Sequence, residues 1–129
     1  MIEIRSINHV SLLVADTGRA LDFYHGLLGL PVDNNRPLLG FPGAWLNVGN
    51  GQIHLLELPD AGEQQVSLQH GGRDRHLAMN VVDIDETVRA LEAAGIACTR
   101  SRSGRKALFC RDPDGNTLEL VEMADGRPL

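Results

Sequence analysis

Aromatic residues are scarce in this chain: one Trp, one Tyr and three Phe, 4% of 129 residues. So few rings make a poor stacking surface, which argues against a protein that only sequesters a flat ligand. No apolar run approaches the ~20 residues that a membrane-spanning helix needs, so no membrane partner is expected. Two cysteines, Cys98 and Cys110, are too few for a disulfide framework and are expected as reduced core thiols facing each other across a hairpin. Basic residues are outnumbered, 12 Lys and Arg against 17 Asp and Glu. The net charge of −5 excludes a nucleic-acid surface as the main business of the chain. The opening Met1-Ile2-Glu3-Ile4-Arg5 alternates apolar and charged residues without a cleavable apolar core. It reads as a strand and not as a signal peptide, and the expected location is cytoplasmic.

What the chain does have is a repeat. His9-Val10-Ser11-Leu12-Leu13-Val14-Ala15-Asp16 lies without a gap on His76-Leu77-Ala78-Met79-Asn80-Val81-Val82-Asp83. The register holds through Thr17–Leu27 and Ile84–Ala94 and returns where Ile53-His54-Leu55-Leu56-Glu57-Leu58 lies on Leu118-Glu119-Leu120-Val121-Glu122-Met123. Internal duplication of this kind sets the architecture before any single element is considered.

Each half spells the same order of elements. In the first, a strand from about Ile4 to Val14 leads to a helix capped by Asp16 or Thr17 and running to about Leu28, where Gly29 and Pro31 end it. A short strand near Val32 and a hairpin, Ala44–Val48 with Gln52–Leu58, complete it. The second half gives a strand Arg75–Val82 and a helix Asp85–Ala94 stopped by Gly95. Strands Ala97–Arg100 and Lys106–Arg111 follow, and Asp112-Pro113-Asp114-Gly115 turns into a last strand, Thr117–Met123. The predicted fold is α+β: two tandem βαβββ modules forming a curved, cupped mixed sheet with helices outside. Module one covers 1–58, a polar linker 59–74 and module two 75–129, within one domain.

The repeat also places metal-capable side chains at matching positions, His9 with His76 and His54 with Glu119. A lone histidine is more often a hydrogen-bonded core residue than a ligand. Three of the five histidines on repeat-equivalent sites, with a carboxylate at the fourth, change that reading. Three imidazole nitrogens and one carboxylate oxygen suit Zn, Ni, Fe or Mn better than Ca. Glu119 lies between Leu118 and Leu120, so an inward-facing carboxylate there needs a cation. Glu57 and Glu122 fall on the opposite strand face and are expected as outer-face charges. His25 and His70 are expected at the surface. Arg100, Arg102, Arg105, Lys106 and Arg111 crowd one hairpin, either as solvated edge charges or as a rim for an anionic substrate.

Asn8-His9-Val10, Ala20-Leu21-Asp22-Phe23-Tyr24 with Leu28-Gly29-Leu30, His76-Leu77-Ala78, and Asp112-Pro113-Asp114-Gly115-Asn116 through Glu119 together resemble the vicinal oxygen chelate superfamily. That group includes glyoxalase I, bleomycin-resistance proteins, extradiol dioxygenases and fosfomycin-resistance transferases. The resemblance implies that His9, His54, His76 and Glu119 are metal positions, and that the ion chelates adjacent oxygens of a small-molecule substrate. It also implies a homodimer.

Residue-level differences steer the choice of reaction. His54 stands where glyoxalase I has a glutamate, leaving Glu119 as the carboxylate of the set. Phe109 stands where extradiol dioxygenases carry a tyrosine, and Arg100–Arg105 lacks their upstream histidine. The expected activity is therefore a divalent-metal-dependent, glyoxalase-like lyase or isomerase working through a metal-stabilised enediolate, with Glu119 or His54 moving the proton. Alternatives are a dioxygenase, a thiol transferase, or a bleomycin-resistance-like binder. Arg73, Arg75 or the basic hairpin would orient a carboxylate, and nothing in the sequence selects among them.

Overall fold

The computed structural model describes residues 1–58 and 70–123, and the chain divides into two compact units, Met1–Glu63 and Gln64–Leu129. In the first unit, β1 (His9–Val14) leads to α1 (Thr17–Leu21), then β2 (Val32–Asp33), β3 (Gly43–Val48) and β4 (Gly51–Glu57). The second unit repeats this with β5 (His76–Val81), α2 (Ile84–Ala93), β6 (Cys98–Arg100), β7 (Ala107–Arg111) and β8 (Thr117–Glu122). Both units are βαβββ, and each strand outside the first falls within two residues of its expected bounds. The expected linker falls outside the described residues from 59 to 69. Its described end holds a 3-10 turn, Gly71–Arg73.

Each unit carries a four-stranded mixed sheet, ordered β1-β4-β3-β2 and β5-β8-β7-β6. β1 runs parallel to β4 with Ser11 opposite His54, and β5 runs parallel to β8 with Ala78 opposite Glu119. Across the antiparallel neighbour, Trp45 faces His54 and Phe109 faces Glu119. The duplication therefore extends to hydrogen-bond register, and it makes Trp45 and Phe109 equivalent as well.

Alternation along the strands decides which face meets the helix. In the first unit Val14, Ala44, Leu46, Ile53 and Leu55 are buried on one face, together with Ala20, Phe23 and Tyr24. In the second, Leu108, Cys110, Leu118 and Leu120 are buried with Ile84 and Leu91 of α2. His9, His54, His76 and Glu119 belong to the other parity of their strands.

Two details depart from expectation. The first strand begins at His9 and not near Ile4, because β4, its partner in the sheet, starts opposite that point, with His9 paired to Gln52. The first helix is regular only to Leu21 and continues through Asp22–Leu27 in wider π-helical turns, with Leu28 N–H donating to the Phe23 carbonyl at 2.9 Å. The widened turns seat the sequence neighbours Phe23 and Tyr24 together in the core, edge to face at 5.0 Å. Gly29 and Gly95 end the two helices as expected, both with φ of 75°.

Both helices start against a glutamate of the sheet. Thr17 N–H donates to Glu57 Oε1 at 2.7 Å, and Ile84 N–H donates to Glu122 Oε2 at 3.0 Å. Asp16 and Asp83 cap the same termini, accepting from Arg19 N–H at 2.8 Å and Glu86 N–H at 3.0 Å. Glu57 and Glu122 thus lie on the helix-bearing face, as parity required. They are half-buried caps for helix N–H groups and not merely solvated charges.

Candidate metal centre

On the face of the first sheet away from its helix, three rings are stacked. His54 lies between His9, at 3.9 Å between centroids and 13° between planes, and Trp45, at 4.3 Å and 7°. Gln52 orients the central imidazole. Its amide nitrogen donates to Asp33 Oδ2 at 2.7 Å and Asn47 Oδ1 at 2.9 Å, so its Oε1 faces His54 Nε2 at 2.8 Å as an acceptor. His54 therefore carries its proton on Nε2 and its lone pair on Nδ1. Burial, then the neighbouring His9 and Arg36, push its pKa below the ordinary 6.5 against the opposing pull of Asp33. The ring is neutral at physiological pH, the state that metal ligation or proton abstraction requires.

The matching face of the second sheet is charged. Glu119 is 4% exposed, and its two oxygens have different partners. Oε2 accepts from Arg105 Nη2 at 3.0 Å, whereas Oε1 stands 3.3 Å from His76 Nε2. His76 Nδ1 donates to the Asp74 carbonyl at 2.8 Å. A neutral His76 thus points its Nε2 lone pair at a carboxylate oxygen, and two acceptors at this distance repel unless a second ring proton or a shared cation joins them.

The backbone behind His76 is tied down. Arg111 Nη1 and Thr117 Oγ1 both donate to Asp74 Oδ2 at 3.1 Å, and Arg111 also bonds Thr117 Oγ1. The Arg111 bond holds the Asp74 carboxyl below the usual carboxylate range. Gly71 lies so close to this cluster that a Cβ there would come 2.3 Å from Thr117 Cγ2. Glycine is required here by close approach and not by backbone conformation.

A cleft of about 660 Å³ opens over this pair, within the range typical of small-molecule sites. His76, Glu119, Phe109, His70 and three arginines line it. His70 was expected at the surface, yet it is half-buried, bonded to Thr99 Oγ1 at 2.7 Å and set edge-on to Phe109 at 5.0 Å. Its position off the repeat gave no signal in the sequence. Of the basic hairpin, Arg102 and Arg105 line the cleft. Arg100 pairs with Asp85, Lys106 with Glu122 and Arg111 with Asp74. Cys98 and Cys110 are register partners and unbridged, with burial pushing the Cys110 thiol up to about 12.

The structure accordingly brings His9 to His54 and His76 to Glu119. Among the described residues neither unit gathers three His, Cys, Asp or Glu side chains around one point, and each supplies a pair. The donors nevertheless fit a divalent ion by their chemistry: an oriented neutral imidazole in one pair, and a buried carboxylate opposed to an imidazole lone pair in the other.

Two βαβββ units with this register and these donors define a class, and comparison with known proteins agrees. Residues 6–120 match the family model for the Glyoxalase/Bleomycin resistance protein/Dioxygenase superfamily, and the chain belongs to that superfamily. It is 30% identical to glyoxylase I 4 of Arabidopsis thaliana, over 99% of this chain and 76% of the relative. It is 32% identical to the glutathione transferase FosA of Serratia marcescens, over 91% and 80%. A solved structure of a Bacillus anthracis protein assigned to the glyoxalase family superposes with a TM-score of 0.74 at 25% identity, covering 96% of this chain and 99% of that one. Members of the superfamily act on small molecules and typically use divalent metals. No helix among the described residues is long and apolar enough to cross a membrane.

Proposed function

We propose that the protein is a divalent-metal-dependent, glyoxalase-like enzyme that acts on a small oxygen-rich metabolite by lyase or isomerase chemistry through an enediolate. His9, His54, His76 and Glu119 would be the donors for one ion, with Zn, Ni, Fe or Mn suited to that set. The observation that carries the reading is the Glu119 Oε1 to His76 Nε2 approach at 3.3 Å, made while His76 Nδ1 is committed to a carbonyl. When bound, the ion supplies Lewis-acid stabilisation of the oxyanion that develops as a proton leaves the adjacent carbon.

The chain's own residues supply the rest. His54 has one lone pair to give, at Nδ1, because its Nε2–H is bonded to Gln52, so it serves either as a donor to the ion or as the base that accepts the substrate proton. Glu119, the other candidate for that step, has Oε2 taken by Arg105 and Oε1 directed at His76, which suits it better to hold an ion. A homodimer is part of the same proposal. Its support within the chain is the segment before β1, where Ile2, Ile4 and Ile7 are 89%, 86% and 82% exposed.

Metal analysis of the purified protein and of His76→Ala and Glu119→Ala tests the centre. Bound metal that both substitutions reduce is the expected result, and full occupancy surviving both ends the proposal. Loss of hemithioacetal absorbance is the expected activity. Oxygen uptake with catechols would replace it with a dioxygenase, and ligand binding unaffected by chelator would replace it with a binder.

A further inference from the structure

Resting on the reading of this cleft as the substrate site, we propose that it contains an anion subsite. Arg73 and Arg102 hold an oxyacid head group (carboxylate or phosphate) of the substrate. The two arginines come from separate parts of the second unit, Arg73 from the 3-10 turn before β5 and Arg102 from the loop between β6 and β7, yet both line the one cleft. Among the described residues neither is paired with a carboxylate, while Arg100, Lys106 and Arg111 nearby are each matched to an acid. Arg105 is also matched, to Glu119 at 3.0 Å. The lining thus holds three guanidinium groups against one carboxylate, in a chain whose net charge is −5. A local excess of one sign in a concave site attracts the opposite charge, and guanidinium forks suit planar or tetrahedral oxyanions.

The loop that carries Arg102 is braced from within. Ser103 N–H donates to Ser101 Oγ at 3.2 Å, Arg105 N–H and Nε–H both donate to Ser103 Oγ at 3.3 Å, and Gly104 supplies a φ of 85°. Loop residues with internal bonds present a side chain at lower entropic cost than a mobile tail does. Solvated edge charges would need neither the bracing nor a cleft shared by two segments.

The test is calorimetric titration of the full chain with glycerol phosphate, glycerate and glycerol, which share vicinal hydroxyls and differ in the head group. Glycerol phosphate or glycerate should bind where glycerol does not, and the stronger of the two identifies the head group. R73Q/R102Q should weaken that binding by roughly tenfold or more, as loss of two charge-assisted contacts implies, with metal content unchanged. R75Q, an arginine outside the cleft, should bind as the wild type does. Affinity in the wild type should also fall as NaCl is added, a readout that does not depend on any variant folding. Equal binding by wild type and R73Q/R102Q, or anion binding indifferent to salt, would overturn the subsite. Chelator-treated protein that still binds the anion supports it, and purified wild type that takes up no added metal yet binds anions through Arg73 and Arg102 would sink only the metal centre.

Discussion

The two units share a register residue for residue and differ in charge. On the face away from its helix, the first presents a stack of rings, His9 on His54 on Trp45, with the central imidazole oriented by an amide. The second presents at the same positions a buried carboxylate between an imidazole and a guanidinium, with Phe109 in place of Trp45. Duplication has conserved where side chains point while their chemistry diverged. A buried anion creates a demand for positive charge that a stack of rings does not. In the centre proposed above, the second unit should therefore bind the cation more strongly than the first.

The largest test of that asymmetry is Glu119→Gln, which keeps the side-chain shape and removes its charge. Metal affinity, measured by competition with a chelator, should fall by more than about 100-fold, beyond the range seen for outer partners of metal ligands. His9→Ala and His54→Ala should cost less, roughly 10- to 100-fold each. Equal losses from both units would erase the distinction. Loss from the first unit alone would reverse it.

Next in size is a pH effect confined to the first unit. The pKa of His54 lies below its unfolded value of 6.5, so between the two the unfolded chain binds more protons than the folded one. Stability from this group is complete above 6.5 and is lost as pH falls through the folded-state pKa. The lowered carboxyls Asp33 and Asp74 start from 3.8 and respond only in stronger acid. The melting temperature should therefore drop as the pH falls below 6.5, and His54→Gln should flatten that drop. An unchanged drop in His54→Gln would remove His54 from the account.

How much of this was legible beforehand depends on what repeats and what does not. The βαβββ order, the two glycine stops and the strand parity of His9, His54, His76 and Glu119 followed from alternation and duplication, and the register confirms them. β1 begins at His9 and not near Ile4, because the alternation of Ile2 and Ile4 carries no information about where a partner strand begins. The π-helical turns at Asp22–Leu27, which seat Phe23 and Tyr24 together, have no counterpart in the second half and so no signal in the repeat. Within the site, the repeat could not reveal His70, Arg73 or the grip of Arg105 on Glu119, because none has a counterpart in the other half. Arg111, expected as a solvated edge charge or as part of a basic rim, is a tie to Asp74, a contact between residues 37 apart that composition cannot show.

The smallest expected effect probes the face on which the units agree. Glu57 and Glu122 are repeat-equivalent, half-buried, and bonded to the first N–H of equivalent helices. Each substitution to alanine should cost about 0.5–2 kcal/mol, the range for losing a helix N-terminal cap, because Asp16 and Asp83 still satisfy the neighbouring donors. Lys106, 3.5 Å from Glu122, adds little to that value because its side chain is largely exposed. Glu57→Ala and Glu122→Ala should therefore destabilise by similar amounts in chemical denaturation, and neither should alter metal content. A clearly larger loss at one of them would show that divergence between the halves reaches through the sheet to its helix-bearing side, and that the charge asymmetry is not confined to the face that carries the donors.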